Sequence, residues 1–332
     1  MSTVEEKKKI VVTGANGYIA SYVVKSLLLK GYAVTAIVRD KNNVAKYEHL
    51  VDLLMEDGMS GSLEVESGDL ESADYLSIFK GSYAVIHCAS PYVYTADDVQ
   101  RDIIQPAIAG NLRVLEAAQA TPSIKKVIIT SSTAAVTDLT KQKEVYDESD
   151  WNDSASEATP YQYSKVLAEK ATWNFRKEKG PLAFEIIVIN PSFVVGPALS
   201  RTLNTSLSTL EEGLRGVGAP FTQRRVGLVD VRDVADAHVV ALESKQSLDG
   251  ERATLCNTVM TFHDVTVLAK SLFPHYTFTP VDMSTVPTPF QYKIVSNSKV
   301  KLGRDYTPFN QSISETVEYL IRINKFKPHP TK

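Results

Sequence analysis

Over the first half of the chain, short β-branched runs alternate with longer stretches of helical periodicity. Ile10-Val11-Val12-Thr13, Ala33 to Val38, Ala84-Val85-Ile86-His87, Lys126 to Thr130 and Phe184 to Asn190 read as strands, with a weaker one at Leu63 to Glu66. Helical patterns fall between them, notably Tyr18 to Leu29, Ala107 to Ala120 and Tyr161 to Lys177, and Lys30-Gly31 ends the first in the usual glycine manner. Strand and helix in alternation predict an α/β fold, a doubly wound parallel sheet covered by helices on both faces. After Pro191 the pattern changes. Pro197, Gly213, Gly216, Gly218 and Pro220 break the chain into loops and short helices, and Val226 to Val229 and Thr254 to Cys256 look like returns to sheet. The expected division is a sheet domain over residues 1–190 with returning segments at about 226–258, and a smaller lobe from 191–225 and 259–332. No internal repeat or low-complexity tract interrupts this.

With 332 residues, 43% hydrophobic and 23% charged, the chain can bury a large core. A net charge of −3 offers no broad basic field for nucleic acid or an anionic membrane. Cys88 and Cys256 are too few for a disulfide framework and have no metal-ligand spacing, so no metal is expected. Met1 to Lys9 is polar and charged, and no apolar run is long enough for a bilayer. These features lead us to expect a cytoplasmic protein.

Chemistry enters at Thr13-Gly14-Ala15-Asn16-Gly17-Tyr18-Ile19-Ala20, where a strand turns into a helix. Gly14 permits the tight turn, Gly17 lets backbone approach a pyrophosphate, and the helix N-terminus supplies amide donors and a positive dipole end. This identifies the expected Rossmann-type nucleotide site, with spacing GxxGxxA. Arg39 directly follows the second strand, where an NAD site commonly places a carboxylate. A guanidinium suits a 2′-phosphate, and Lys46 adds a second cation, so NADP(H) is the expected cofactor. Asp40 either pairs with Arg39 or caps the next helix. Asp69, in Gly68-Asp69-Leu70, either meets the adenine amino group or serves a turn.

Tyr161 and Lys165 are spaced to share one helix face. A tyrosine is too weak an acid for carbonyl reduction near neutrality, and a nearby cation makes it a usable proton relay. Ser132 lies at the end of the fifth strand, where ligands sit in doubly wound sheets, and a serine there can hold a carbonyl oxygen.

In these motifs nearly the whole chain resembles the extended short-chain dehydrogenase/reductases, in the group of dihydroflavonol reductases, cinnamoyl-CoA reductases and aldehyde or methylglyoxal reductases. TGxxGYIA, Val38-Arg39-Asp40 with Lys46, Gly68-Asp69-Leu70 and His87-Cys88-Ala89-Ser90-Pro91 match in order. So do Ser131-Ser132, Tyr161-x-x-x-Lys165 with Ala168-Glu169-Lys170, Asn190-Pro191-Ser192 to Gly196-Pro197, and Val229 to Ala235 with His238. The resemblance implies Ser132, Tyr161 and Lys165 as catalytic residues. Implied cofactor ligands are Gly14, Asn16, Gly17, Tyr18, Ile19, Arg39, Lys46, Asp69, Leu70, Ala89, Ser90, Tyr161, Lys165, Pro191 and Ser192. The cinnamoyl-CoA reductases carry a longer Asn-Trp-Tyr pattern around the tyrosine, where this chain has Thr159-Pro160-Tyr161-Gln162-Tyr163, which weighs against a CoA thioester. Ser90, Ser132, Phe193, Phe221 and Gln223 are candidate substrate contacts, the last three equally readable as core of the small lobe. His87 and His238 read as structural.

The expected function is an NADPH-dependent reductase of an aldehyde, ketone or dihydroflavonol-like ketone, acting as monomer or homodimer on a small carbonyl compound. Alternatives are an NAD-dependent sugar-nucleotide epimerase or dehydratase, a hydroxysteroid-type alcohol dehydrogenase, and a non-catalytic NADP-sensing module.

Overall fold

Neighbouring residues along the central strands enter different cores. The computed structural model describes residues 7–91, 96–217, 224–280, 282–284, 288–327 and 329–330. Its main strands are β1 (Lys9–Thr13), β2 (Ala33–Val38), β3 (Ser62–Ser67), β4 (Ala84–His87), β5 (Lys126–Thr130) and β6 (Glu185–Pro191). They are followed by β7 (Phe193–Val195), β8 (Arg225–Asp230), β9 (Arg252–Leu255) and β10 (Thr258–Thr261). The helices that matter here are α1 (Tyr18–Leu29), α2 (Gln105–Gln119), α3 (Pro160–Lys179), α4 (Thr205–Leu214), α5 (Val231–Glu243), α6 (Phe262–Leu272) and α7 (Phe309–Arg322).

Seven strands form one parallel sheet in the order β3-β2-β1-β4-β5-β6-β9. Ile10, Val12, Ile187 and Ile189 join one core with Val23, Val24 and Leu27 of α1 and Val234 and Val239 of α5. Val11, Ile186 and Val188 join the opposite core with Val114 and Leu115 of α2 and Phe175 of α3. A strand apolar on both faces cannot tolerate solvent on either, so helices cover both sides. The strand order reverses between β1 and β4, and that reversal opens a crevice at the carboxyl ends of the strands.

Local chemistry sets the helix ends. Pro160 occupies the first turn of α3, where its missing N–H costs nothing, and Arg176, Lys177 and Lys179 lie in the last turn, facing the negative dipole end. Pro106 likewise sits in the first turn of α2, so this helix starts before the predicted Ala107, and one π turn over Gln100–Ile104 leads into it.

The two predicted returns land in different sheets. Strand β8 lies between β7, parallel to it, and β10, antiparallel to it, whereas β9 pairs with β6 at the edge of the main sheet. A third core under the small sheet joins Leu207 and Leu210 of α4, Phe262 and Val265 of α6, and Ile313 and Val317 of α7. Among the described residues no helix is long and apolar enough to cross a membrane.

Candidate active site

The glycine turn is built for close approach. Gly14 has φ +60°, and a Cβ there would meet the Ala89 backbone at 3.0 Å. The Gly17 N–H donates to the Gly14 carbonyl at 2.8 Å, which closes the turn. No side chain caps the N-terminus of α1 and no acidic residue lies in its first turn, so its amides and dipole face outward uncompensated. Thr13 fixes the turn from beneath: its hydroxyl accepts the Ala89 N–H at 3.2 Å and lies 2.7 Å from His87 Nδ1. Burial, reinforced by the Lys165 charge, pushes the His87 pKa down to about 3, so this imidazole is neutral where it shares a hydrogen bond with the Thr13 hydroxyl. His238 is similar: burial lowers its pKa to about 4, and it spans the Val234 carbonyl and the Thr130 hydroxyl. Both histidines have structural roles, as the sequence suggested.

At the end of β2 the Arg39 side chain is 89% exposed, and its Nε lies 3.3 Å from Asp69 Oδ2. Asp40 does not take that partner; its Oδ1 accepts the Asn42 N–H in a turn. Asp69 also receives the Glu71 N–H, so it both makes its turn and reaches Arg39. The Asn16 amide donates to the Lys46 carbonyl at 3.2 Å, tying the glycine turn to the segment that carries the second cation. Lys46 itself is exposed. Leu70 lies against α2 at Gly110, where a Cβ would meet its Cδ2 at 3.0 Å.

The side chain of Tyr18 points away from this turn. Its hydroxyl donates to the Gly196 carbonyl at 2.5 Å, and that of Tyr22 donates to Pro197 at 2.8 Å. Ile19 packs against the core beneath α1.

Across the crevice, Lys165 is buried on α3, and its Nζ donates to Ser90 Oγ at 3.1 Å. The same Nζ lies 5.8 Å from the centre of the Tyr161 ring. Burial lowers the Lys165 pKa from 10.5 to about 8, against the opposing pull of Glu169 and Cys88. Ser132 Oγ accepts the Ala134 N–H at 3.1 Å, which leaves its own O–H to donate outward. Pro191 and Ser192 are buried at the end of β6.

Residues 10–256 match the model of the NAD dependent epimerase/dehydratase family. The chain belongs to this family. It is 36% identical to the cinnamoyl-CoA reductase CAD2 of Medicago truncatula, over 94% of this chain and 95% of that protein. It is 34% identical to the dihydroflavonol 4-reductase of Arabidopsis thaliana, over 81% of this chain and 69% of that one. The yeast methylglyoxal/isovaleraldehyde reductase Gre2, crystallised with NADPH, superposes with a TM-score of 0.80 at 27% identity, covering 96% of this chain and all (100%) of its own. The resemblance and the doubly wound fold read from the sequence are thereby borne out.

Phe193 stands edge-on to Phe262 with ring centres 5.3 Å apart and packs, half-buried, against the small-lobe core. Phe221 and Gln223 lie outside the described residues. Among the described residues no group of histidine, cysteine and carboxylate side chains could hold a metal.

Sequence reasoning passed over two polar anchors. Asn111 donates from α2 to the Ala168 carbonyl and the Thr172 hydroxyl of α3 at 3.2 and 3.1 Å. Glu169, 1% exposed, receives Ser131 Oγ at 2.6 Å, Asn190 Nδ2 at 2.7 Å and Arg252 Nε at 2.5 Å. An asparagine within a helical pattern gives no signal of its role, and the Arg252 partner of Glu169 is 83 residues away in sequence.

Proposed function

We propose that the chain is an NADPH-dependent carbonyl reductase acting on an aldehyde, ketone or dihydroflavonol-like ketone, with Tyr161 as the proton donor. The observation that carries this reading is the buried Lys165 ammonium, held 3.1 Å from Ser90 Oγ and one helical turn from Tyr161 at the crevice edge. The glycine turn fits the group: a Cβ at Gly14 would fill the space beside Ala89, and the α1 amides lack a side-chain cap. Gly14, Gly17 and the backbone of Tyr18 and Ile19 would receive the pyrophosphate, and Ala89, Ser90, Pro191 and Ser192 would flank the nicotinamide. The chemistry that bound NADPH supplies is a hydride for the carbonyl carbon.

Ser132 would hold the carbonyl oxygen by donating its free O–H. Tyr161 would give its proton to that oxygen as negative charge develops there. Lys165 would favour the resulting phenolate by its charge, a preorganised electrostatic contribution of the kind that usually dominates catalysis. Arg39 and Lys46 support NADP over NAD, and hence a reductase over the epimerase reading.

Arg39→Ala should raise KM for NADPH by about 10-fold or more, because a charged hydrogen bond to phosphate contributes ~1.5–3 kcal/mol. KM for NADH should hardly move, and equal effects on the two cofactors would remove the phosphate role. A second measurement concerns Lys165. With its pKa near 8 it loses its proton as pH rises through that value, so kcat/KM for reduction should fall above about pH 8. The sign for stability is opposite: the unfolded chain binds more protons between about 8 and 10.5, so the buried charge costs less as pH rises through that window. A flat rate profile to pH 10 would reject a working ammonium at this position.

A further inference from the structure

Glu169 sits one turn beyond Lys165 on α3, facing into the protein rather than toward the crevice surface, and it is 1% exposed. A carboxylate so placed persists only if its oxygens are filled. Four donors fill them. Oε2 accepts from Ser131 Oγ at 2.6 Å and Asn190 Nδ2 at 2.7 Å; Oε1 accepts from Arg252 Nε at 2.5 Å and Trp173 Nε1 at 3.3 Å. Trp173 belongs to the same helix, but the other three come from the carboxyl end of β5, the end of β6 and the start of β9. Ser131 immediately precedes Ser132. Asn190 immediately precedes Pro191 and Ser192, and its Nδ2 also donates to the Ser132 carbonyl at 3.2 Å. One carboxylate therefore holds the side chains of Ser131 and Asn190, the residues next in sequence to Ser132 and Pro191, from the helix that carries Tyr161 and Lys165.

We propose that Glu169 is a positioning residue for the reduction: it fixes Ser132 and the Asn190–Ser192 segment in register with Tyr161 and Lys165. This rests on the carbonyl-reductase reading above. Misplacing a reacting group by about 1 Å can cost about 100-fold in rate, so a brace of this kind has a kinetic consequence beyond its effect on folding. Among the described residues, the groups that bear on the Lys165 charge are His87 and Cys88 at the end of β4, and Tyr161 and Glu169 on α3 itself. His87 is neutral and Cys88 is a thiol held up at about 11 by burial, so near neutral pH Glu169 is the anion whose loss Lys165 would feel.

The test is steady-state kinetics with NADPH on Glu169→Gln, Ser131→Ala and Tyr161→Phe, with NADPH binding followed separately by its fluorescence. Glu169→Gln should lower kcat by about 10- to 100-fold and weaken NADPH by a smaller factor than it lowers kcat, since it acts at the Lys165 and Asn190–Ser192 end and leaves Arg39, Lys46 and the glycine turn unchanged. The alkaline limb of its rate profile should move to lower pH, which a merely structural residue would not do. Should Glu169→Gln fail to fold, Ser131→Ala decides the matter, because it removes one donor and buries no charge; it should lower kcat by about 3- to 10-fold, a larger factor than any change in NADPH affinity. Wild-type kcat and an unmoved profile in the folded variants, beside an inactive Tyr161→Phe, would overturn the positioning role alone. An active Tyr161→Phe would overturn the reductase reading, and the positioning role with it.

Discussion

Tyr161→Phe is expected to lower kcat by about 10²- to 10⁴-fold, the range that positioned acid–base groups contribute. The substitution removes one hydroxyl and keeps the ring that packs beside Lys165, 5.8 Å from its Nζ. Most of the packing is thereby kept, and the loss should appear in kcat far more than in thermal stability or NADPH affinity. A carbonyl panel assayed with NADPH, with a fluorescence titration of cofactor binding, separates these effects. If the variant keeps its turnover, the proton comes from elsewhere and Tyr161 is only a wall of the crevice.

The largest effect on stability is expected from Arg252→Met. Arg252 is 8% exposed; besides holding Glu169, its Nη1 donates to the carbonyls of Glu148 and Asp150 at 2.6 and 2.8 Å, and its guanidinium lies 4.0 Å from the centre of the Trp151 ring. Methionine fills much of the volume but leaves the Glu169 carboxylate buried without its cation. Breaking one side of a buried pair costs about 3–5 kcal/mol, whereas exposed pairs contribute about 0–1 kcal/mol. A urea midpoint shift should show this cost. The double variant Arg252→Met with Glu169→Leu should recover part of it, because removing both charges removes the unpaired one. A single-variant loss under about 1 kcal/mol would mean that the carboxylate is relieved by water or by a proton.

Much of this is legible in the chain because the same physics writes both sequence and structure. Strands β2, β4 and β5 have the bounds their sequence predicts, since a strand buried on both faces is an uninterrupted apolar run. The turn at Gly14 is legible because its left-handed φ and close approach to Ala89 leave little choice but glycine. Strand β9 starts two residues before the predicted Thr254 because it opens on Arg252, whose charge looks like surface until Glu169 is seen opposite. That pairing is tertiary, and no local pattern announces it. The direction of Tyr18 is hidden for the same reason: a tyrosine after the glycine turn reads as a cofactor neighbour, while its hydroxyl finds a carbonyl 178 residues away. Phe193 reads equally as pocket or core, and the ring opposite it, Phe262, arrives only with the fold of the small lobe.

The phenols of Tyr18 and Tyr22 have a consequence for anyone exchanging parts among relatives. Both grow from the first turns of α1 and hold the Gly196 and Pro197 carbonyls, where the chain leaves the small sheet for the smaller lobe. From the other side, Thr316 of α7 accepts the Gly196 N–H at 2.8 Å, and Tyr319 of α7 reaches the Ser200 carbonyl at 2.7 Å. The boundary of a transferable module therefore does not fall at Pro191, where the sequence changes character. A graft of the loops beyond β7 carries its fit with it only if α7 and the two phenols of α1 travel too, so the unit of exchange is a set of three distant stretches of chain joined at one peptide corner.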